Sequence, residues 1–231
     1  MIVAVIVTYN RKELLGENIQ MLLEQTRSID RICIVDNCST DGTPEFLQKN
    51  GWKNNNQFVY IRTESNIGGA GGFYTGTKAA FELGADWILL MDDDGKMADK
   101  FMLKCLMSVA EQLYENNVAD RKLFINALVQ QGEMLSFKMG TKYTVQQALD
   151  ASRSGILEGE ANPFNGTLIS RELVEKIGFP NKEFFIKGDE VDYKQRTLVA
   201  GGYIATVVNA RYLHPRPKTQ EKVVLGIKVP F

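Results

Sequence analysis

The chain has 231 residues, 44% of them hydrophobic and 24% charged, and its 27 basic and 28 acidic side chains leave a formal net charge of −1. This composition is ordinary for a globular protein, and the charge balance excludes a broad nucleic-acid-binding surface, which needs a basic excess. No apolar run reaches the ~18 residues of a membrane span, so we expect no transmembrane segment.

Two features of the sequence predict a cytoplasmic location. Met1 to Val7 has no basic region and no small-residue cleavage site, and it continues directly into Thr8-Tyr9-Asn10. We therefore interpret it as a first strand and not as a signal peptide. Cys33, Cys38 and Cys105 are odd in number and lack zinc-type spacing, which indicates reduced thiols.

Strand and helix patterns alternate through the first hundred residues. Apolar, β-branched runs predict strands at 2–7, 31–36, 58–62 and 87–91. Leu15, Ile19 and Leu22 mark one face of a helix after the first strand, with Asn10 as its N-cap and Glu13 as capping-box partner. Because helices separate the strands, we expect a mostly parallel sheet flanked by helices.

The second half has a less regular pattern. We expect helices at 101–116, around 173–177 and at 189–200, and strands at 123–130, 134–138 and 203–208. The polar segment 142–159 shows no clear period, and we interpret it as a mobile excursion. No linker divides the chain, so we predict one α/β domain over 1–231, with a nucleotide-binding half at 1–95 and a smaller, mixed, acceptor-binding half at 96–231.

Three consecutive carboxylates, in the run Met91-Asp92-Asp93-Asp94-Gly95, end the fourth predicted strand. Ligands of open α/β sheets bind at that end of the strands. Adjacent acids repel one another unless a cation lies among them, and their oxygens suit Mg²⁺ or Mn²⁺, which commonly accompany phosphates. The alternative is a solvated acidic turn, which the preceding buried strand makes less favourable.

Polar segments also follow the other predicted strands. Thr8-Tyr9-Asn10-Arg11 ends the first strand and Asp36 to Thr43 ends the second. An acid in the loop after the second strand commonly binds a base or ribose, although residues of these types also form ordinary turns. Asn66 to Phe73 is predicted to be a glycine-rich loop opening a helix, which suits close approach to a pyrophosphate. The alternatives are close helix packing and a flexible turn, since the segment matches neither the Walker nor the dinucleotide motif.

Two further groups of residues are candidates for chemistry. Phe184 to Tyr193 places Asp189, Glu190 and Asp192 at a predicted helix start after two aromatic residues. Acids favour the first helical turn for electrostatic reasons alone, but partial desolvation would raise a carboxyl pKa toward the general-base range. His214 is the only histidine; a lone histidine is commonly structural, yet imidazole is a good Mn²⁺ ligand.

Taken in order, these segments resemble family 2 glycosyltransferases of the GT-A fold, a Rossmann-like α/β arrangement, over about residues 2 to 215. Any one motif is loose, but the seven in this order are very unlikely to occur by chance. The matching motifs are Val7-Thr8-Tyr9-Asn10-Arg11, 34–37 with 39–43, 66–69, 91–94, 164–169, 184–186 with the acids that follow, and His214-Pro215.

The resemblance implies an inverting transferase that uses a nucleotide-diphosphate sugar and Mn²⁺ or Mg²⁺. Asp36 would bind the nucleotide base, and Asp92, Asp94 and His214 would hold the metal. The implied donor-binding residues are Thr8, Asn10, Arg11, Asp36, Asn66, Gly68, Gly69, Asp92 and Asp93. The family's base is usually an aspartate two positions before another acid; here that position is Glu190, which leaves Asp189 as an alternative base.

The donor is implied by the segments 66–73 and 91–95, which are most similar to bacterial galactofuranosyltransferases. They imply UDP-galactofuranose and synthesis of a cell-surface polysaccharide on a saccharide or lipid-linked saccharide acceptor, with membrane contact at the inner face of the plasma membrane. Rhamnosyltransferases that use dTDP-rhamnose share much of the pattern.

Two other classes of protein are open alternatives. A sugar nucleotidyltransferase needs a glycine-rich basic loop where Thr8-Tyr9-Asn10-Arg11 stands. A non-catalytic nucleotide-sugar binder is favoured only by Glu190, which replaces the family's aspartate.

Overall fold

The computed structural model describes residues 1–216, 221–224 and 227–230. Its first half alternates strands and helices as the sequence predicts. The elements are β1 (Ile2–Thr8), α1 (Lys12–Leu23), β2 (Arg31–Asp36), α2 (Thr43–Lys49), β3 (Phe58–Arg62), α3 (Gly68–Glu82) and β4 (Trp87–Asp92).

The second half contains shorter elements. They are β5 (Lys96–Met97), α4 (Met102–Glu115), β6 (Leu123–Gln131), β7 (Met134–Met139), β8 (Lys142–Thr144), α5 (Val145–Ala151), β9 (Ile156–Glu158), β10 (Thr167–Ser170), α6 (Arg171–Ile177), α7 (Asp189–Val199), β11 (Tyr203–Leu213), β12 (Glu221–Val224) and β13 (Ile227–Pro230), with short helical turns at Val118–Arg121 and Lys182–Phe184. Within the described residues, none of the helices has both the length and the hydrophobicity of a membrane span.

In the part of the chain that the structure describes, eleven strands form one mixed sheet with the central order β3-β2-β1-β4-β10-β6-β11-β5. The strands β3, β2, β1 and β4 pair in parallel. Strand β10 then runs antiparallel to both β4 and β6, and β11 pairs in parallel with β6. The predicted α/β fold, with a mostly parallel sheet in its first half and a mixed second half, is confirmed.

The sheet is covered on both faces, and β1 shows why its sequence is a continuous apolar run. Its even-numbered residues pack into a core with α1 and α4, and its odd-numbered residues into a second core with α3 and α6. Side chains of a strand alternate between the two faces of a sheet, so a strand covered on both sides needs apolar residues throughout. The strand is therefore held rigidly behind the polar residues that follow it.

The glycine-rich segment opens a helix as predicted, but the helix begins so early that most of the predicted loop is helical. Helix α3 begins at Gly68, and a Cβ atom on Gly72 or Gly76 would lie 2.4 Å from Val7 Cγ1 or 2.2 Å from Val5 Cγ1. These two glycines therefore let α3 lie directly on β1. Close helix packing, one of the alternative interpretations of this segment, explains them.

The predicted N-cap of α1 is wrong. The capping position is Arg11, and no side chain caps the helix. Asn10 has a left-handed backbone with φ 54°, which asparagine tolerates better than most residues. Its Oδ1 instead accepts a hydrogen bond from the Thr40 amide at 2.7 Å, so Asn10 joins the loop after β1 to the loop after β2.

The segment 142–159 is structured, contrary to the predicted mobile excursion. It contains β8, α5 and β9, and α5 begins with a capping box between Thr144 and Gln147. Strand β9 pairs with β11. Strand β11 also continues to Leu213, past the predicted end, because its pairing with β6 resumes at Arg211 after an irregularity that follows Val207.

Candidate functional site

The carboxyl ends of β1, β2 and β4 meet at one edge of the sheet. Parallel pairing places Thr8 opposite Asp36 and Val7 opposite Asp92. From the other side, β11 brings His214 to the same edge, where its amide donates to the Gln130 carbonyl at 3.1 Å. Residues from both halves of the chain therefore converge on the acidic turn.

Asp92, Asp94 and His214 form a group that can hold a metal ion. Each offers one ligand atom, and these atoms lie within 4.8 Å of one another. His214 Nε2 is 3.2 Å from Asp94 Oδ1, while Nδ1 is 2.6 Å from the Pro215 carbonyl oxygen. A proton on Nδ1 directed to that carbonyl leaves Nε2 free for a cation, the usual arrangement of a metal-binding histidine.

The charges of this group favour a bound cation. Burial, and then the charges of Asp94 and Asp93, raise the pKa of Asp92 to about 7. Burial alone would raise the pKa of Asp94, but His214 and Arg11 lower it; burial would lower the pKa of His214, but Asp94 raises it. The two carboxylates suit Mn²⁺ or Mg²⁺, and the imidazole suits a transition metal such as Mn²⁺ better than Mg²⁺, so the predicted ligands fit a divalent metal of the expected kind.

Asp93 is directed toward β1 and holds it to the acidic turn. Its Oδ2 accepts from the Thr8 hydroxyl at 2.7 Å, and its Oδ1 from Arg11 Nη1 at 3.0 Å. The same Arg11 nitrogen is 2.9 Å from Asp94 Oδ2. Asp93 therefore fixes the positions of Thr8 and Arg11, and its contact with a donor stays a prediction.

A cleft of about 460 Å³ opens in front of these acids. It brings together most of the predicted donor and metal residues. Its lining is Val7, Thr8, Tyr9, Arg11, Asn37, Asn66, Gly68, Gly69, Asp92, Asp93, Asp94, Phe185, Ile186, Lys187 and His214. Four other predicted site residues do not line the cleft: Asn10, Asp36, Asp189 and Glu190.

Asp36 is buried in the loop that follows β2. Its Oδ1 accepts from the Ser39 amide at 2.8 Å and its Oδ2 from the Tyr60 hydroxyl at 2.7 Å. The side chain is 0% exposed, so a nucleotide base would contact it only after this loop moves. Its role in base binding stays a prediction.

Two buried asparagines, which lie within the matching motifs but are not among the site residues named from the sequence, belong to the site. Asn37 lines the cleft and donates to the Gly68 carbonyl at 2.9 Å. Asn165 Nδ2 lies 3.4 Å from Asp92 Oδ2. The Oδ1 atoms of both have no hydrogen-bond partner among the described residues. Their position inside two of the matching motifs is the only signal that the sequence offers.

The start of α3 is covered by the loop at 184–187. The Asn66 side chain accepts from the Gly68 amide at 2.9 Å, and the Phe185 carbonyl accepts from the Ala70 amide at 3.0 Å. Phe185 has φ 63° and ψ −65°, and the Ile186 amide donates to the Phe184 carbonyl at 2.8 Å. This is a γ-turn, a strained conformation that is rare outside glycine.

Asp189 and Glu190 form a carboxyl pair at the start of α7. Asp189 is buried, and burial, followed by the hydrogen bond and charge of Glu190, raises its pKa to about 8. Glu190 Oε2 accepts from the Gly188 amide at 3.2 Å. Asp192, by contrast, is paired with Arg196 Nε at 2.8 Å. Asp189 therefore keeps its proton at a higher pH than an ordinary carboxyl group does, and the assignment of one member of the pair as the base stays a prediction.

Comparison with known proteins identifies the family. Residues 3–177 match glycosyl transferase family 2. The chain is 33% identical over 230 residues to galactofuranosyltransferase GlfT1 of Mycolicibacterium smegmatis, covering 96% of this chain and 74% of that one. It is 31% identical over 224 residues to GlfT1 of Mycobacterium tuberculosis, covering 96% and 72%. The chain belongs to glycosyl transferase family 2, and it is a glycosyltransferase.

Solved structures support the fold. GalNAc-T7 with UDP, GalNAc and Mn²⁺ superposes with a TM-score of 0.73 at 15% identity, over 93% of this chain and 44% of that one. The mannosyltransferase PcManGT from Pyrobaculum calidifontis, with GDP-Man and Mn²⁺, gives 0.66 at 17% identity, over 94% and 57%. This chain thus spans about half of each. The predicted GT-A fold is confirmed.

Proposed function

We propose that this glycosyltransferase transfers galactofuranose from UDP-galactofuranose to a saccharide hydroxyl, with inversion and with Mn²⁺ or Mg²⁺ as cofactor. The observation that carries the proposal is the convergence of Asp92, Asp94 and His214 in the same cleft as Thr8 and Asn66. The identity of 31–33% to galactofuranosyltransferases over almost the whole chain supports the choice of sugar.

The donor is held by residues from the first half of the chain, at 1–95, together with His214. The carboxylates of Asp92 and Asp94 and the imidazole of His214 would hold the cation, which when bound stabilises the charge on the leaving diphosphate. Arg11 adds a positive charge at the same edge of the cleft. The other proposed donor contacts are Thr8, Asn10, Asp36, Asn66, Gly68, Gly69 and Asp93.

The acceptor is activated by the carboxyl pair of the second half, at 96–231. One member, Glu190 or Asp189, removes the proton from the acceptor hydroxyl, and that oxygen attacks the anomeric carbon on the face opposite the diphosphate. A single displacement of this kind inverts the configuration. Burial and the neighbouring acid raise the pKa of Asp189, and a base with a raised pKa removes a proton more effectively at neutral pH.

The acceptor is a saccharide or a lipid-linked saccharide of a bacterial cell-surface polysaccharide. Phe184, Phe185 and Ile186 are exposed by 43%, 48% and 63%, respectively, and the last two line the cleft. An exposed apolar group at the mouth of an active site fits a peripheral contact with a membrane that carries the acceptor. We place the enzyme in the cytoplasm, at the inner face of the plasma membrane.

A donor panel tests this proposal. The purified chain would be incubated with UDP-galactofuranose, UDP-galactopyranose or dTDP-rhamnose, with Mn²⁺ or with EDTA, and release of nucleotide diphosphate would be measured. We expect turnover of UDP-galactofuranose that EDTA abolishes and Mn²⁺ restores. Preference for dTDP-rhamnose would show that UDP-galactofuranose is not the donor. Full turnover in EDTA would show that the reaction needs no divalent metal.

A further inference from the structure

Helix α1 carries one polar residue in the middle of its apolar face. Asn18 lies one helical turn from both Leu15 and Leu22, and all three are buried in α1. Its side chain is only 1% exposed. A buried amide without hydrogen-bond partners is strongly destabilising, so the place of Asn18 in the core depends on what it binds.

Asn18 binds the main chain at both ends of the acidic turn. Its Nδ2 donates to the Asp92 carbonyl at 2.9 Å and to the Gly95 carbonyl at 2.8 Å. These two carbonyls flank Asp93 and Asp94, the residues at the tip of the turn. Asn18 therefore fixes the separation of the two ends of the turn through the backbone.

Tyr212 holds the same turn from β11. A Cβ atom on Gly95 would lie 2.4 Å from Tyr212 Cε1, so the tyrosine ring lies directly against the backbone at Gly95. Tyr212 is fully buried, pairs with Met97 across the sheet and precedes His214 by two residues. The turn is thus fixed between α1 on one side and β11, which ends immediately before His214, on the other.

We propose that Asn18 is a positioning residue for the cation site: by bridging the carbonyls of Asp92 and Gly95 it sets the spacing of the Asp92 and Asp94 carboxylates relative to His214. The inference rests on the proposed function, because it assigns Asn18 to the metal site proposed there. Groups that orient metal ligands without touching the metal commonly change its affinity by 10- to 100-fold when they are removed.

The test compares Asn18→Leu with a matched control, Gln25→Leu. Gln25 follows α1, is buried, and donates to the Met21 and Asp99 carbonyls at 3.2 and 2.8 Å. It also accepts from the Leu103 amide at 3.0 Å, so its loss removes a comparable set of buried hydrogen bonds away from the acidic turn. Mn²⁺ would be titrated into each metal-free protein, with free Mn²⁺ followed by electron paramagnetic resonance, and Tm would be measured without metal.

We expect both variants to lower Tm, and only Asn18→Leu to raise the Kd for Mn²⁺, by roughly 10- to 100-fold. An unchanged Kd in Asn18→Leu, or an equal rise in Gln25→Leu, would overturn the inference. If Asn18→Leu does not fold, Asn18→Ser keeps one donor, and we expect an intermediate Kd; a wild-type Kd in that variant overturns the inference too. Wild-type protein that binds no Mn²⁺ would instead defeat the proposed metal dependence, and the inference with it.

Discussion

The carbonyl of Phe185 accepts a hydrogen bond from the amide of Ala70, 3.0 Å away. This contact joins the loop at 184–187, from the second half of the chain, to the start of α3 beside the proposed donor site. Gly68 makes the approach possible, since a Cβ atom there would lie 2.0 Å from the Phe185 oxygen. The two sides of the cleft are therefore in direct backbone contact.

Gly68→Ala should displace the loop at 184–187 and impair transfer. Gly68 has φ +73°, which disfavours alanine, in addition to the clash with Phe185. Because small misplacements in an active site cost roughly 100-fold, we expect a fall in kcat/KM of about that size, measured with the donor and acceptor of the wild-type reaction. Gly51→Ala is the matched control: Gly51 has φ +74° and lies outside the cleft, a Cβ atom there meets nothing within 4 Å, and its activity should remain near wild type. Equal loss in both variants would mean that Gly68 has no special role.

His214→Ala should weaken Mn²⁺-dependent binding of UDP. The variant removes one of three ligands and leaves only the carboxylates of Asp92 and Asp94 to hold the cation. We expect at least a tenfold higher Kd for UDP in Mn²⁺, because removal even of groups that only support a metal ligand costs 10- to 100-fold. Calorimetric titration measures it, and UDP binding in EDTA provides the baseline. Unchanged binding in Mn²⁺ would remove His214 from the ligand set.

Glu190→Gln should abolish transfer while UDP binding survives. The amide keeps the size of the side chain but cannot take a proton from the acceptor. Initial rates and the Kd for UDP separate the two effects. Asp192→Asn is the control, because it removes a negative charge from the same helical turn, but from a carboxylate that forms an ion pair with Arg196. Full activity in Glu190→Gln would transfer the role to Asp189, and Asp189→Asn would then be the inactive variant.

The raised pKa of Asp189 makes stability depend on pH. Its pKa is about 8 in the folded protein against roughly 3.9 in an unfolded chain, so the folded state retains a proton that the unfolded state releases. The stabilisation is complete below about pH 4 and is lost as pH rises through about 8. Asp189→Asn should therefore show a smaller fall in Tm than wild type between pH 6 and pH 8.5 in EDTA. If Tm fell equally with pH in Asp189→Asn and in wild type, the raised pKa would not belong to Asp189.

The sequence predicted the elements whose signal is local. Continuous apolar runs identified β1 to β4, and the position of Asp92 after β4 located the acidic turn. His214 was a candidate because it is the one histidine of the chain and because the resemblance implies a metal ligand there. These features depend on residue type and on short-range pattern, which the sequence displays directly.

The sequence did not predict features that depend on distant partners. Strand β10 has four residues and is a strand because it pairs on both sides, not because of its own pattern. Asn18 lies on an apolar helical face, and only the acidic turn explains its presence. The burial of Asp36 against Ser39 and Tyr60 likewise results from loops folding onto one another.

Strand β10 has a consequence for how the chain is made. It hydrogen-bonds to β4 on one side and to β6 on the other, so the parallel strands of the first half have a bare edge at β4 until residue 170 exists. Bare, apolar strand edges invite pairing with other chains. The sheet of residues 1–95 is therefore incomplete until β10 has been synthesised. Until then, the unpaired edge of β4 is open to pairing with a neighbouring chain.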